Sequence, residues 1–228
     1  MYQTNLYLEA KPFVSFRSVA LELGFTRETF ELFSFHSVSK GFLGECGRRG
    51  GYVECFGIAA EAKMAIYRMI ALGLCANVAG QATIELMVNP PAAGDASHGA
   101  HEAERAALLA SLDRRAGYFC AAFNKMDGVS CNPAEGALYL FPKVELPPRA
   151  LAQADAEGKP GDAFYAEKLL DATGICIVPG SGFGQRAGTW HLRFAFLPDE
   201  KAIAGVVGKM EAFHKGFMLE YAAVQTAA

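Results

Sequence analysis

Three side chains lying within twelve residues of one another can do chemistry together: Ser37, Lys40 and Arg48, set among Gly41, Gly44, Gly47, Gly50 and Gly51. A lysine amine condenses with an aldehyde to form a Schiff base. A guanidinium fork matches the geometry of a phosphate, and a hydroxyl three residues before the lysine adds a second donor for the same group. The glycines let the backbone come close to whatever is held. The combination suits a cofactor that carries an aldehyde at one end and a phosphate at the other.

Each residue also has a plainer reading. A lone lysine is ordinarily a solvated surface residue, and it is the hydroxyl and guanidinium at fixed spacing that argue otherwise for Lys40. Arg49 competes with Arg48 for the phosphate, but neighbours on an extended segment point oppositely, so one of the two faces the cofactor. Ser37-Val38-Ser39-Lys40 also satisfies the Ser-x-x-Lys pattern of acyl-serine enzymes. There the serine opens a helix and a Lys-Thr-Gly triad follows, whereas here glycines follow at once and no such triad occurs.

The elements that must position these groups alternate. Phe30 to Phe35 reads as a strand delivering Lys40, preceded by a helix over Ser15 to Leu23 with Gly24 as its cap, and followed by a strand over Tyr52 to Ile58. Helices are expected over Ala59 to Ala76, Ala79 to Val88 and Gly99 to Lys125, with the Pro90 to Ser97 linker before the last. Strands follow at Ala137 to Phe141, Gly174 to Val178 and His191 to Phe196, with helices at Asp162 to Ala172 and Glu200 to Tyr221. Ala152 to Asp162, without periodicity, is expected to be an exposed loop. This is an α/β pattern in two parts, residues 1–95 and 96–228.

Arg193 alternates with Leu192 and Phe194 on one of these strands, where a charged group is costly without a partner. An internal carboxylate or an open sheet face would explain it, and so would an external anion. Gly180-Ser181-Gly182-Phe183-Gly184 lacks the spacing of a dinucleotide loop and reads as a turn. Tyr139 is expected in the core, and His98, His101 and His214 on helix exteriors.

With 52% hydrophobic and 20% charged residues in 228, the chain can bury a core. A formal net charge of -3 argues against a nucleic-acid partner, and no apolar run approaches the ~20 residues of a membrane span. Six cysteines without a C-x-x-C pair, mostly in apolar segments, read as reduced thiols of a cytoplasmic compartment, and no histidine has metal-ligand spacing.

The run from Ser37-Val38-Ser39-Lys40 through Gly44-Glu45-Cys46-Gly47-Arg48-Arg49-Gly50-Gly51-Tyr52 resembles the cofactor-lysine segment of alanine aminotransferases, in the fold-type I class of pyridoxal phosphate enzymes. Tyr2-Gln3-Thr4-Asn5-Leu6-Tyr7, Val178 to Gln185, and His191-Leu192-Arg193-Phe194 with Leu197-Pro198 resemble further segments of that family in the same order. The resemblance implies the C-terminal part of the large cofactor domain followed by the smaller α+β domain. It implies Lys40 as Schiff-base lysine and proton shuttle, Ser37 and Arg48 on the phosphate, Tyr2 on the ring oxygen and Arg193 on the substrate carboxylate. Implied substrates are L-alanine and 2-oxoglutarate, in a homodimer whose sites are shared. The family's aspartate for the pyridine nitrogen would fall just ahead of Met1, so poor activity is expected of these residues alone; the alternative is a non-catalytic fragment pairing with a full-length subunit.

Overall fold

The computed structural model describes residues 2–222. Its chain divides into two units, Met1–Leu109 and Ala110–Ala228.

In the first unit, α1 (Phe16–Glu22) begins where the Ser15 hydroxyl accepts the Ser18 N–H at 3.0 Å, a side-chain N-cap. Strands β1 (Leu32–Ser37) and β2 (Gly51–Phe56) pair antiparallel, with Leu32 opposite Phe56 and Ser37 opposite Gly51. Arg17 of α1 pairs with Glu54 of β2 and also lies over the Phe56 ring at 5.6 Å. Gly57 ends β2 at φ +67° against the carbonyls of Phe30 and Arg27. Helices α2 (Ala60–Ala71) and α3 (Val78–Val88) follow. The expected continuation of α2 to Ala76 fails because Leu74 takes a left-handed conformation at φ 59°.

The long α4 (His98–Phe123) crosses from the first unit into the second. In the second unit β3 (Val129–Ser130) pairs with β5 (Lys143–Val144), while β4 (Tyr139–Leu140), β6 (Val178–Pro179) and β7 (Leu192–Ala195) form an antiparallel sheet in the order β4-β7-β6. Around them lie α5 (Pro148–Ala156), α6 (Gly161–Thr173) and α7 (Glu200–Glu220).

The alternation of β7 is complete: Leu192, Phe194 and Phe196 are buried, and the residues between them are half-exposed. Phe194 packs on Phe119 and Phe123 of α4 with ring centroids 4.6 and 5.3 Å apart. Between α6 and α7, Tyr165 lies 5.0 Å from Phe217 and its hydroxyl donates to His214 Nδ1 at 3.0 Å. His214 Nε2 then donates to the Asp127 carbonyl at 2.7 Å, since a carbonyl can only accept. His214 is therefore a core residue, not the exterior one expected.

One further expectation is corrected. The segment Ala152 to Asp162 is not one loop: its first part ends α5, which opens with Pro148 at its first position and buries Ala150 and Ala154, four residues apart, and Gly161 and Asp162 begin α6. Alanine gives too little hydropathy contrast for that stripe to stand out. Among the cysteines, Cys46, Cys75 and Cys176 are exposed, and Cys120 and Cys131 are buried. Burial, with Cys120 beside it, pushes the Cys131 thiol up to about 12.

Two outcomes follow. Gly57→Ala places a side chain in a left-handed position against two carbonyls, so the unfolding free energy from denaturant titration should fall by more than the ~1–2 kcal/mol of that conformation alone. Maleimide labelling of the native chain at neutral pH should modify Cys46, Cys75 and Cys176 rapidly, and Cys120 and Cys131 only after unfolding, as read by peptide mass spectrometry.

Candidate active site

Ser37 ends β1 and Gly50 immediately precedes β2, so the chemistry-bearing residues occupy the connection of a hairpin. Val38, fully buried, closes that connection: its N–H donates to the Gly50 carbonyl at 3.2 Å and its carbonyl accepts the Glu45 N–H at 2.9 Å. Ser37 Oγ accepts the Ser39 N–H at 3.1 Å and donates to the Gly50 carbonyl at 3.3 Å. The hydroxyl thus shapes the turn that carries Lys40, which is half-buried. Arg48 lies in a 3-10 turn, Cys46–Arg48, exposed and with Nε 3.7 Å from the Glu45 carboxylate.

Arg49 behaves differently. It sits at φ 52° and its guanidinium folds back to donate to the Cys46 carbonyl at 3.3 Å. Its own carbonyl accepts the Asn77 side chain at 3.3 Å, and a Cβ on Gly50 would meet the Gly80 carbonyl at 2.8 Å, so the loop lies close against the start of α3. His36, beside the loop, accepts the Ser37 N–H through Nδ1 at 2.9 Å, and burial holds its pKa below the usual histidine value.

Tyr2 is half-buried, its carbonyl accepting the Asn5 N–H at 2.9 Å. Asn5 is fully buried, and neither polar atom of its side chain has a hydrogen-bond partner among the described residues. Such a group costs about 1–3 kcal/mol when left unsatisfied.

The remaining site residue, Arg193, belongs to the second unit, on the central strand β7. Its guanidinium carbon lies 4.9 Å from the Tyr139 ring centroid and 5.0 Å from that of Phe183. Among the described residues no carboxylate pairs with it. The register explains Tyr139: it stands opposite Ala195, which shares a strand face with Arg193, making the two diagonal neighbours. Tyr139 is half-exposed rather than in the core.

Phe183 ends the 3-10 turn Gly180–Phe183, which follows β6 directly. That turn hangs on Asp162, 1% exposed, whose Oδ2 accepts both the Ser181 N–H and Gln185 Nε2 at 2.7 Å. Gln185 Oε1 in turn accepts from His191 Nδ1 at 2.9 Å, and the His191 ring stacks on Phe141 at 4.9 Å with 5° between planes. Burial, with Lys143 nearby, lowers the His191 pKa. Asp162, Gln185 and Phe183 carry no motif of their own; the one signal for Asp162 is an acid in the first turn of a helix, which ordinarily marks a helix start and nothing more.

Among the described residues no group of histidine, cysteine and carboxylate side chains could hold a metal ion, and no helix is long and apolar enough to cross a membrane. The donors fit pyridoxal phosphate by type: an amine for its aldehyde, and on the same closed loop a hydroxyl and a guanidinium for its phosphate.

Comparison with known proteins places the chain in a family. The family model for aminotransferase class I and II matches residues 2–207. The chain is 50% identical over 222 residues to a probable mitochondrial alanine aminotransferase of Dictyostelium discoideum, covering 97% of this chain and 42% of that protein. It is 45% identical over 223 residues to alanine aminotransferase 1 of Homo sapiens, covering 97% and 45%. Among solved structures, an alanine aminotransferase from Pyrococcus furiosus superposes with a TM-score of 0.72 at 23% identity, over 94% of this chain and 48% of that one. An Escherichia coli aminotransferase superposes at 0.70 with 21% identity, over 95% and 48%. The fold is thus that of fold-type I aminotransferases, and the chain spans less than half the length of the curated relatives it matches. The chain belongs to the aminotransferase class I and II family.

Proposed function

We propose that this chain takes part in pyridoxal phosphate-dependent transamination, with L-alanine and 2-oxoglutarate as substrates and pyruvate and L-glutamate as products. The observation that carries the reading is the loop closed by Val38, which holds an amine, a hydroxyl and a guanidinium in one connection of a chain from this family. The substrate pair is taken from relatives named alanine aminotransferases at 45–50% identity.

In this reading Ser37 and Arg48 hold the cofactor phosphate and Tyr2 donates its phenol to the ring oxygen. Lys40 Nζ would hold the cofactor through its aldehyde and, once freed by the incoming substrate amine, would move the proton from substrate Cα to the cofactor's C4′, a transfer worth about 10²–10⁴ in rate for a positioned base. When bound, the cofactor supplies the electron sink for the charge that develops at Cα. Arg193 grips the substrate α-carboxylate through its fork. A homodimer belongs to the same reading, as does a cytoplasmic setting, although the Dictyostelium relative is named mitochondrial.

A second reading has this chain act only beside a further aminotransferase polypeptide. It is favoured by the buried, unsatisfied Asn5 and by Phe33 and Phe35, which stack at 6.5 Å while exposed on β1.

Lys40→Ala should abolish the absorbance band that appears when pyridoxal phosphate is added, and should lower pyruvate formation in a coupled assay about 10²–10⁴-fold. A band without turnover in the wild-type chain would support the second reading. Arg48→Ala should weaken cofactor binding about 10–100-fold, the scale of charge-assisted bonds, while Arg49→Ala leaves it nearly unchanged; equal losses would contradict the division of roles.

A further inference from the structure

We propose that Tyr139 and Phe183 are positioning residues for Arg193, holding its guanidinium so that the fork is presented to a substrate carboxylate. The proposal rests on the reading of Arg193 as the carboxylate clamp.

An arginine side chain has several rotatable bonds, and ordering it on binding costs affinity. Arg193 is already held: both aromatic rings face its guanidinium carbon, at 4.9 and 5.0 Å. Contact through a ring face uses the electrostatics of the flat π-system, whereas bidentate carboxylate binding uses N–H groups at the edge of the guanidinium plane. Holding by the rings therefore leaves the donors for a ligand, which a carboxylate partner would not. No carboxylate among the described residues occupies them.

The two rings are fixed by independent means. Tyr139 is set by the pairing of β4 with β7, opposite Ala195. Phe183 is set by its turn, which Asp162 anchors through Ser181 and Gln185, and by its edge contact with Phe141 at 6.1 Å. Gly180, at the base of the turn, admits no Cβ, since one would lie 2.8 Å from the His191 carbonyl. The turn thus has little freedom to withdraw Phe183. Phe183 itself is 48% exposed, so its replacement removes the ring contact without opening the core.

The test is a calorimetric titration of the chain and its variants with 2-oxoglutarate, accompanied, in every chain that keeps Arg193, by the ¹⁵N-arginine Nε–H signal that disappears in Arg193→Lys. Wild-type protein should show that signal shifting saturably. Phe183→Leu and Tyr139→Leu should each raise the dissociation constant about fivefold to tenfold, and Phe183→Tyr should restore it to within about twofold. Thermal melts of the variants check that the fold persists. Unchanged affinity in both leucine variants, with binding lost in Arg193→Lys, would overturn the positioning role and leave the clamp standing. Binding unaffected by Arg193→Lys would overturn the clamp and the proposal with it.

Discussion

Val38 makes the loop a site. Its side chain is wholly buried and both of its backbone groups are spent closing the connection between β1 and β2, on Gly50 at one end and Glu45 at the other. Without those two bonds Ser37, Lys40 and Arg48 would lie on a long flexible excursion, and their spacing in sequence would say little about their spacing in space. The glycines serve the same closure: Gly41 and Gly44 turn at positive φ, and Gly50 passes against Gly80 where a Cβ would not fit. The pairing of β1 with β2 extends the constraint outward, since it fixes which residues reach the loop from each side.

The second unit applies a different constraint to Arg193. Strict alternation along β7 buries Leu192, Phe194 and Phe196, with Phe194 on the aromatic rings of α4, and turns Arg193 to the other face. Slipping that strand by one residue would bury the guanidinium and expose three large apolar side chains. On the outer face the cation is met by rings in place of a carboxylate, and the turn bearing one of those rings is held by the buried Asp162.

Much of this was legible in the sequence because the signals are local. The alternation around Arg193, the Ser15 cap, and the lysine among glycines each depend on neighbours within a few residues. What was not legible depends on pairing at a distance. Tyr139 reads as an ordinary core aromatic until the register puts it opposite Ala195, and Asp162 reads as a first-turn acid until the fold brings Ser181 and Gln185 to it. His214 has nothing nearby in sequence to suggest that it links Tyr165 to the Asp127 carbonyl. The α5 stripe was missed for another reason, because it is built from alanines, whose burial leaves almost no hydropathy contrast.

The central claim is that Lys40 is the residue this loop presents to an aldehyde. Adding pyridoxal phosphate to the purified chain, reducing with borohydride and mapping the tagged lysine by peptide mass spectrometry tests it most directly. The account requires the tag on the Lys40 peptide at near one equivalent; a tag spread over surface lysines, or concentrated on another one, would contradict it.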